Sequence, residues 1–259
     1  MMIRIQKIIE ENNAGLRKLQ GKELRNEMTG KVVYTPPQDS SEIIRLMSNL
    51  EEFINDEKLY SADPLVKMAL IHHQFESIHP FYDGNGRTGR ILNLLYLIHQ
   101  ELLNIPVLYI SRYIIAHRQE YYRLLQSTRV TGNWEPWILY LLEAVRATSI
   151  DTIVLIKEVK KLMMIYKQRI RSELPKIYSQ DLINNLFKHP YTKIVYLQSD
   201  LQVSRLTATR YLDRLVEMKL LDKMKFGKSN YYINFPLFAL LKKPISAPSS
   251  FRIKTTNAE

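Results

Sequence analysis

From His79 to Arg90 the chain reads HPFYDGNGRTGR, and no other stretch restricts its architecture as much. The segment stands between two helical patterns. Upstream, Asp63-Pro64 supplies an N-cap and a first-turn proline, followed at helical spacing by Leu65, Met68, Ala69, His72 and Phe75. Downstream, Thr88 to about Leu103 carries Ile91, Leu92, Leu94, Leu95, Leu97 and Ile98. Apolar almost all round, it is expected to be the buried central helix. Gly84, Gly86 and Gly89 therefore fall where that helix begins. A helix start offers unpaired N–H groups and the positive end of a dipole, which favour anions. Glycine there lets the backbone approach an anionic ligand closely. Arg87 and Arg90, three apart, share a helix face and suit phosphate oxygens. Asp83 is a hard oxygen ligand of the type Mg²⁺ takes alongside water and substrate phosphates. His79 is the side chain best placed to exchange a proton near neutral pH. Together these residues describe a phosphate-handling active site.

The three glycines also satisfy G-x-G-x-x-G, the dinucleotide fingerprint. That motif needs a preceding strand and an acidic residue about twenty positions later. Here a helical stripe precedes it, and Tyr109 stands where the acid is required. A plain surface turn of Asp-Gly and Asn-Gly would need neither His-Pro-Phe before it nor paired arginines after it. His72 and His73 are adjacent on a helix and complete no zinc spacing, so they are expected to be structural.

The string matches HPFx(D/E)GN(G/K)RxxR at every fixed position and so resembles the signature of the Fic (filamentation-induced-by-cAMP) family. The likeness covers residues about 15–147. It implies a protein adenylyltransferase, which transfers AMP from ATP to a Ser, Thr or Tyr hydroxyl of a target protein or of itself. By that resemblance His79 is the general base and Asp83 holds Mg²⁺. Gly84, Asn85 and Gly86 form the anion hole around the α- and β-phosphates, within a nucleotide-binding loop that includes Thr88 and Gly89. Arg87 and Arg90 steady the β- and γ-phosphates. Glycine rather than lysine at 86 favours the adenylylating orientation over that of the phosphorylating Doc branch. The segment from Arg118 to Leu125 resembles the lining of an adenosine pocket, with Tyr121 and Tyr122 towards adenine and ribose and Arg129 one turn further on.

Leu24–Thr35 reads as a hairpin turning through Glu27–Gly30 and ended by Pro36-Pro37. In the family a hairpin here is the flap, which aligns a target segment by strand addition, with Val32, Val33 and Tyr34 as the contact strand. Many relatives carry an inhibitory (S/T)xxxE(G/N) motif whose glutamate pairs with the second arginine, here Arg90. The chain holds no instance, and only a short helix precedes the flap, so an N-terminal inhibitory region is expected to be absent. Truncation, a separate inhibitor protein and an uninhibited enzyme all remain open, and a homodimer is compatible with the family.

The chain has 259 residues, 46% of them apolar, and no cysteine. That length supports one substantial core and a smaller second one. The lack of thiols excludes structural disulfides and fits a reducing, cytoplasmic setting. No secretion signal and no apolar run of spanning length is visible, so no membrane is expected. The net charge of +11 is uneven. Residues 1–150 hold 17 basic and 17 acidic side chains, whereas residues 151–259 hold 20 and 9. An excess confined to the C-terminal part points to an acidic partner there, with DNA as the candidate.

Helices are expected from Asp39-Ser-Ser-Glu42 onward, over Tyr113–Leu125 and over Trp137–Ala147. The expected class is mostly α, with a Fic-type helical bundle and a small hairpin flap over 1–148. A linking helix would follow over 149–176, a winged helix-turn-helix (α+β) domain over 177–240 and a flexible tail over 241–259. Leu182–Phe187, Lys193–Gln202 and Arg205–Lys219 would be the three helices of the winged domain, resembling many bacterial ones, and Lys223–Ile233 its wing. In a DNA-binding version Arg205, Thr207, Thr209 and Arg210 would face the major groove, while Lys223, Lys225 and Lys228 touch phosphate. The competing reading is a DNA-binding regulator whose first domain senses nucleotide. A third is transfer of another phosphate-containing moiety.

Overall fold

The computed structural model describes residues 1–26, 29–56 and 61–242. The chain divides into two units between Ser149 and Ile150. The first opens with α1 (Met2–Glu10), whose Met2 and Gln6 are buried, and a short hairpin of β1 (Leu24–Arg25) and β2 (Val32–Tyr34). The two strands are antiparallel, pairing Leu24 with Tyr34 and Arg25 with Val32 across an irregularity. Of the expected turn, Glu27 and Met28 lie outside the described residues.

Then follow α2 (Ser40–Asn55), α3 (Pro64–Ile78) and α4 (Asn85–His99). The Asp39 carboxylate accepts the N–H of Glu42 at 3.0 Å, and that of Asp63 accepts the N–H of Leu65 at 2.8 Å. Both helices start where side-chain caps satisfy orphan donors. Helix α4 packs against α3 and α1. It buries a single stripe, Asn85, Thr88, Gly89, Leu92, Asn93, Tyr96 and Leu97. Ile91, Leu94, Leu95 and Ile98 are only half covered, so the helix is one-sided rather than buried all round.

Helices α5 (Ser111–Ala116) and α6 (Arg118–Thr131) replace the single helix expected from Tyr113. The break is at His117, whose backbone leaves helical geometry while its ring bonds the carbonyl of Tyr113 at 3.0 Å. Beyond the Gly132 turn, α7 (Glu135–Glu173) runs unbroken for 39 residues. The two helices expected on either side of Ala147-Thr148-Ser149 are one, because neither proline nor glycine interrupts the junction.

The first core gathers Ile43 and Leu50 of α2, Met68, Ile71 and Phe75 of α3, Leu92 and Leu97 of α4, and Trp137 and Leu141 of α7. Trp137 donates its indole N–H to the carbonyl of Ala69 at 2.8 Å. His72 stacks on Trp137 and shares a hydrogen bond with the Tyr121 hydroxyl at 3.0 Å, and the His73 ring bonds the carbonyl of Leu125 at 3.2 Å. Burial first, and neighbouring arginines second, push these imidazoles down to about 3 and about 4, so both are neutral packing groups.

The second unit contains α8 (Gln180–Lys188), β3 (Tyr191–Thr192), α9 (Ile194–Leu201), α10 (Arg205–Glu217), β4 (Asp222–Phe226), β5 (Ser229–Ile233) and α11 (Phe235–Lys242). The strands form one antiparallel sheet in the order β3-β5-β4. The expected tail from 241 begins with the last two residues of α11, and the remainder lies outside the described residues. Leu182, Leu186, Leu197, Leu212, Leu215 and Tyr232 form its core with Tyr166 and Ile170 of α7. No helix among the described residues is long and apolar enough to cross a membrane.

Candidate active site

The last turn of α3 and the first turn of α4 build the site between them. Helix α3 ends at His79, which takes left-handed backbone angles (φ 49°, ψ 59°) while its N–H bonds the carbonyl of Phe75 at 3.0 Å. Proline at 80 disfavours further helix at 79, so the chain leaves through this cap. The loop that follows is closed from within. The Asn85 side chain accepts the N–H of Phe81 at 2.9 Å and donates to the carbonyl of Phe81 at 2.8 Å.

Arg17, 1% exposed, ties the loop from outside. Its Nε donates to the carbonyl of His79 at 2.8 Å, its Nη2 to the carbonyls of Pro37 and, at 3.4 Å, Ile78. The Tyr82 hydroxyl accepts the N–H groups of Lys18 and Leu19 at 2.8 and 3.2 Å. A loop held at this many points keeps its geometry without a ligand, as a preorganised site must.

The His79 imidazole is held neutral. Burial first, then the positive charges of Lys22, Arg17 and Arg129, push it from 6.5 down to about 4. Its Nδ1 is buried without a hydrogen-bond partner. A neutral imidazole is the form able to accept a proton.

Across the loop, Gly84 caps α4 with φ 78°, and its N–H bonds Asp83 Oδ1 at 2.7 Å. Asp83 itself is exposed. The first helical bond of α4 is Thr88 N–H to the carbonyl of Gly84 at 2.9 Å, so the N–H groups of residues 85–87 precede the ladder. A Cβ at 86 would lie 3.1 Å from Arg90 Nη1. Gly89 serves packing: a Cβ there would come within 2.9 Å of Glu76 Oε1 and 3.0 Å of Phe75. Thr88 is fully buried, and its hydroxyl has no partner. Glu76, 8% exposed, lies beneath the loop with Oε1 unpartnered. Burial raises its carboxyl to about 7 against the opposing charges of Arg90 and Arg129.

Glu10 was not legible as a site residue. Its carboxylate forms a salt bridge with Arg87 and stands 2.5 Å from where a Cβ at 84 would be. An anionic side chain therefore covers the start of α4. The available signal was the face shared by Met2, Gln6 and Glu10, four apart on α1, of which the first two are buried.

The residues expected at the adenosine pocket separate. Tyr121 is 4% exposed, with its hydroxyl on His72 and its ring among Trp137, Tyr122 and Tyr140; it is a core residue because α6 turns this face onto α3 and α7. Tyr122 is exposed, with the Arg118 guanidinium 5.5 Å above its ring. Arg129 points to the flap instead, 3.8 Å over the Tyr34 ring. Val32 and Val33 are each 43% exposed, and β2 has no second strand partner among the described residues. In the second unit Arg205, Arg210, Lys225 and Lys228 are exposed, and Thr207 and Thr209 half-buried. Lys223 is paired with Asp213 at 2.9 Å, and the Thr209 hydroxyl donates to the carbonyl of Arg205 at 2.8 Å.

Comparison with known proteins finds two family matches along the chain. Residues 2–97 match the Fic/DOC family, and residues 162–237 match the family described as protein adenylyltransferase SoFic-like, C-terminal domain. The chain is 28% identical over 130 residues to protein adenylyltransferase Fic of Aedes aegypti, covering 50% of this chain and 24% of that one. It is 30% identical over 112 residues to the Culex quinquefasciatus protein of the same name, covering 43% and 21%. It thus spans under a quarter of the length of these curated relatives. The crystal structure of a Fic family protein from Desulfovibrio desulfuricans G20 superposes with a TM-score of 0.53 at 19% identity, covering 90% of this chain and 67% of that one. At that identity the likeness speaks for the fold: mostly helical, with small antiparallel sheets.

Proposed function

We propose that this chain, which carries a Fic/DOC family domain followed by a SoFic-like C-terminal domain, is a protein adenylyltransferase that moves AMP from ATP onto a protein hydroxyl. The observation that carries the reading is a half-buried histidine, His79, capping α3 five residues before Gly84 caps α4, whose opening residues include glycine and two arginines. His79 takes the proton from the attacking Ser, Thr or Tyr hydroxyl. The oxygen then bonds to the α-phosphorus as the bond to pyrophosphate breaks. The first-turn N–H groups of α4 and the guanidinium groups of Arg87 and Arg90 meet the charge on the phosphates.

Asp83 is the residue that would hold Mg²⁺. Among the described residues no group of three or more His, Asp or Glu is built to hold a metal alone. One exposed carboxylate fits an ion whose other ligands are water and nucleotide phosphates. The metal, when bound, neutralises phosphate charge. Incubation with ATP and magnesium is expected to add the mass of one AMP residue to this chain or to an added protein, read by intact-mass spectrometry. Added mass of a phosphate would replace this reading with a kinase, and unchanged mass across added proteins would remove it.

We also read the second unit as a winged helix, because its elements run α8-β3-α9-α10-β4-β5, with β4 and β5 forming a hairpin beside β3. The exposed Arg205, Arg210, Lys225 and Lys228 and the excess positive charge favour DNA as its partner. Duplex DNA should then shift in an electrophoretic assay, with affinity falling steeply as salt rises. Equal binding by the Arg205→Ala, Arg210→Ala double variant would argue against this surface.

A further inference from the structure

Arg129 ends on the flap and on the turn that carries His79. Its Nε donates to Ser77 Oγ at 2.9 Å and its Nη2 to the carbonyl of Glu76 at 3.2 Å. Its guanidinium lies 3.8 Å from the centroid of the Tyr34 ring, on β2. The Tyr34 hydroxyl in turn donates to the carbonyl of Ser77 at 2.9 Å. Three elements distant in sequence thus share one knot: β2, the last turn of α3 and α6. Ser77 is two residues before His79, so what fixes Ser77 fixes the base. Arg17 makes a parallel link on the other side of the turn, from the His79 carbonyl to that of Pro37, just past β2.

We propose that Arg129 is a positioning residue that registers the flap against the catalytic base, and that it is not a ligand of the nucleotide. Three of its five N–H donors point to Ser77, Glu76 and, at 3.5 Å, Gln126, all on the turn that carries His79 or on α6 itself. A planar guanidinium both stacks on an aromatic face and donates along its edges, whereas an ammonium cannot do both in one orientation. A target segment added to β2 inherits the distance between β2 and His79, and Arg129 sets that distance. The inference rests on the adenylyltransferase reading for its consequence in transfer, while the knot itself is tested without transfer.

Three variants separate the roles: Arg129→Gln, Arg129→Lys and Tyr34→Phe. Tyr34→Phe keeps the ring under Arg129 and loses only the bond to Ser77. Amide hydrogen exchange of residues 32–34 is expected to quicken about tenfold in Arg129→Gln, from loss of one cation–π contact and the hydrogen bonds beside it. Lysine should recover part of that protection. Titration with α,β-methylene-ATP and magnesium should give affinities within about twofold of wild type in all three. Labelling of a His79→Ala copy of this chain, supplied as acceptor, should require several-fold more acceptor in Arg129→Gln, at an unchanged KM for ATP. Weakened analogue binding with unaltered exchange at 32–34 would overturn the proposal and make Arg129 a nucleotide ligand. Absence of labelling by wild type, with exchange and analogue binding as expected, would remove the transferase reading and leave the knot standing.

Discussion

Replacing His79 with alanine is expected to stop transfer of AMP, with a loss of about 10²–10⁴-fold, the range general-base catalysis supplies. The ring makes no structural hydrogen bond through Nδ1, whereas its backbone caps α3 and accepts from Arg17. The variant should therefore fold with an unchanged melting transition and bind nucleotide normally. Equal labelling by wild type and variant would dispose of the mechanism. The pH profile supplies a second test of the same residue. Burial and three positive neighbours hold the imidazole at about 4, so the proton-accepting form gains as pH rises through that value. Labelling should climb with pH in the acid range and stay flat across neutrality. An inflection at 6.5, the ordinary value for histidine, would mean that the imidazole is not enclosed in this way.

Glu10→Ala is expected to raise nucleotide affinity and labelling about tenfold to a hundredfold. The Glu10 carboxylate pairs with Arg87 and crowds Gly84, so under the proposed function phosphate oxygens would compete with Glu10 for one cation and one helix start. On the proposed role of Arg87, nucleotide would bind only the fraction of molecules from which Glu10 has withdrawn, and its apparent affinity would fall by that fraction. Glu10→Gln, which keeps the shape and removes the charge, should give a part of the gain. Calorimetric titration with ATP and magnesium reads both variants. Identical affinities in wild type and Glu10→Ala would show that the carboxylate swings aside without cost.

Helix starts with side-chain caps were the most legible part of the fold. Asp39 and Asp63, read as caps from the sequence, each accept an N–H two or three residues on and open a helix, whereas the equivalent caps Ser179 and Ser204 of α8 and α10 were not read as such. The loop from His79 to Arg90 was legible for the same reason, since glycines, proline and Asn85 act locally. Three things were not. The side of α6 that carries Tyr121 turns inward because His72 and Trp137 lie there, and helical spacing alone does not say which of two adjacent tyrosines is covered. Arg17 reads as one more basic residue in a loop, yet it reaches carbonyls 20 to 62 positions away. Glu10 lies on the packed face of α1, but two buried positions over nine residues define that face weakly.

The missing side chain at 89 has a consequence for how this active centre tolerates change. The seam between α3 and α4 is narrow there, since a Cβ at 89 would stand 2.9 Å from Glu76 Oε1 and 3.0 Å from Phe75. On one side of the seam α3 runs to the turn that carries His79, and on the other the first turns of α4 carry Arg87 and Arg90. A methyl at that point would turn the end of Glu76 aside and press the Phe75 ring by a few tenths of an ångström, so the close fit of the two helices there depends on glycine.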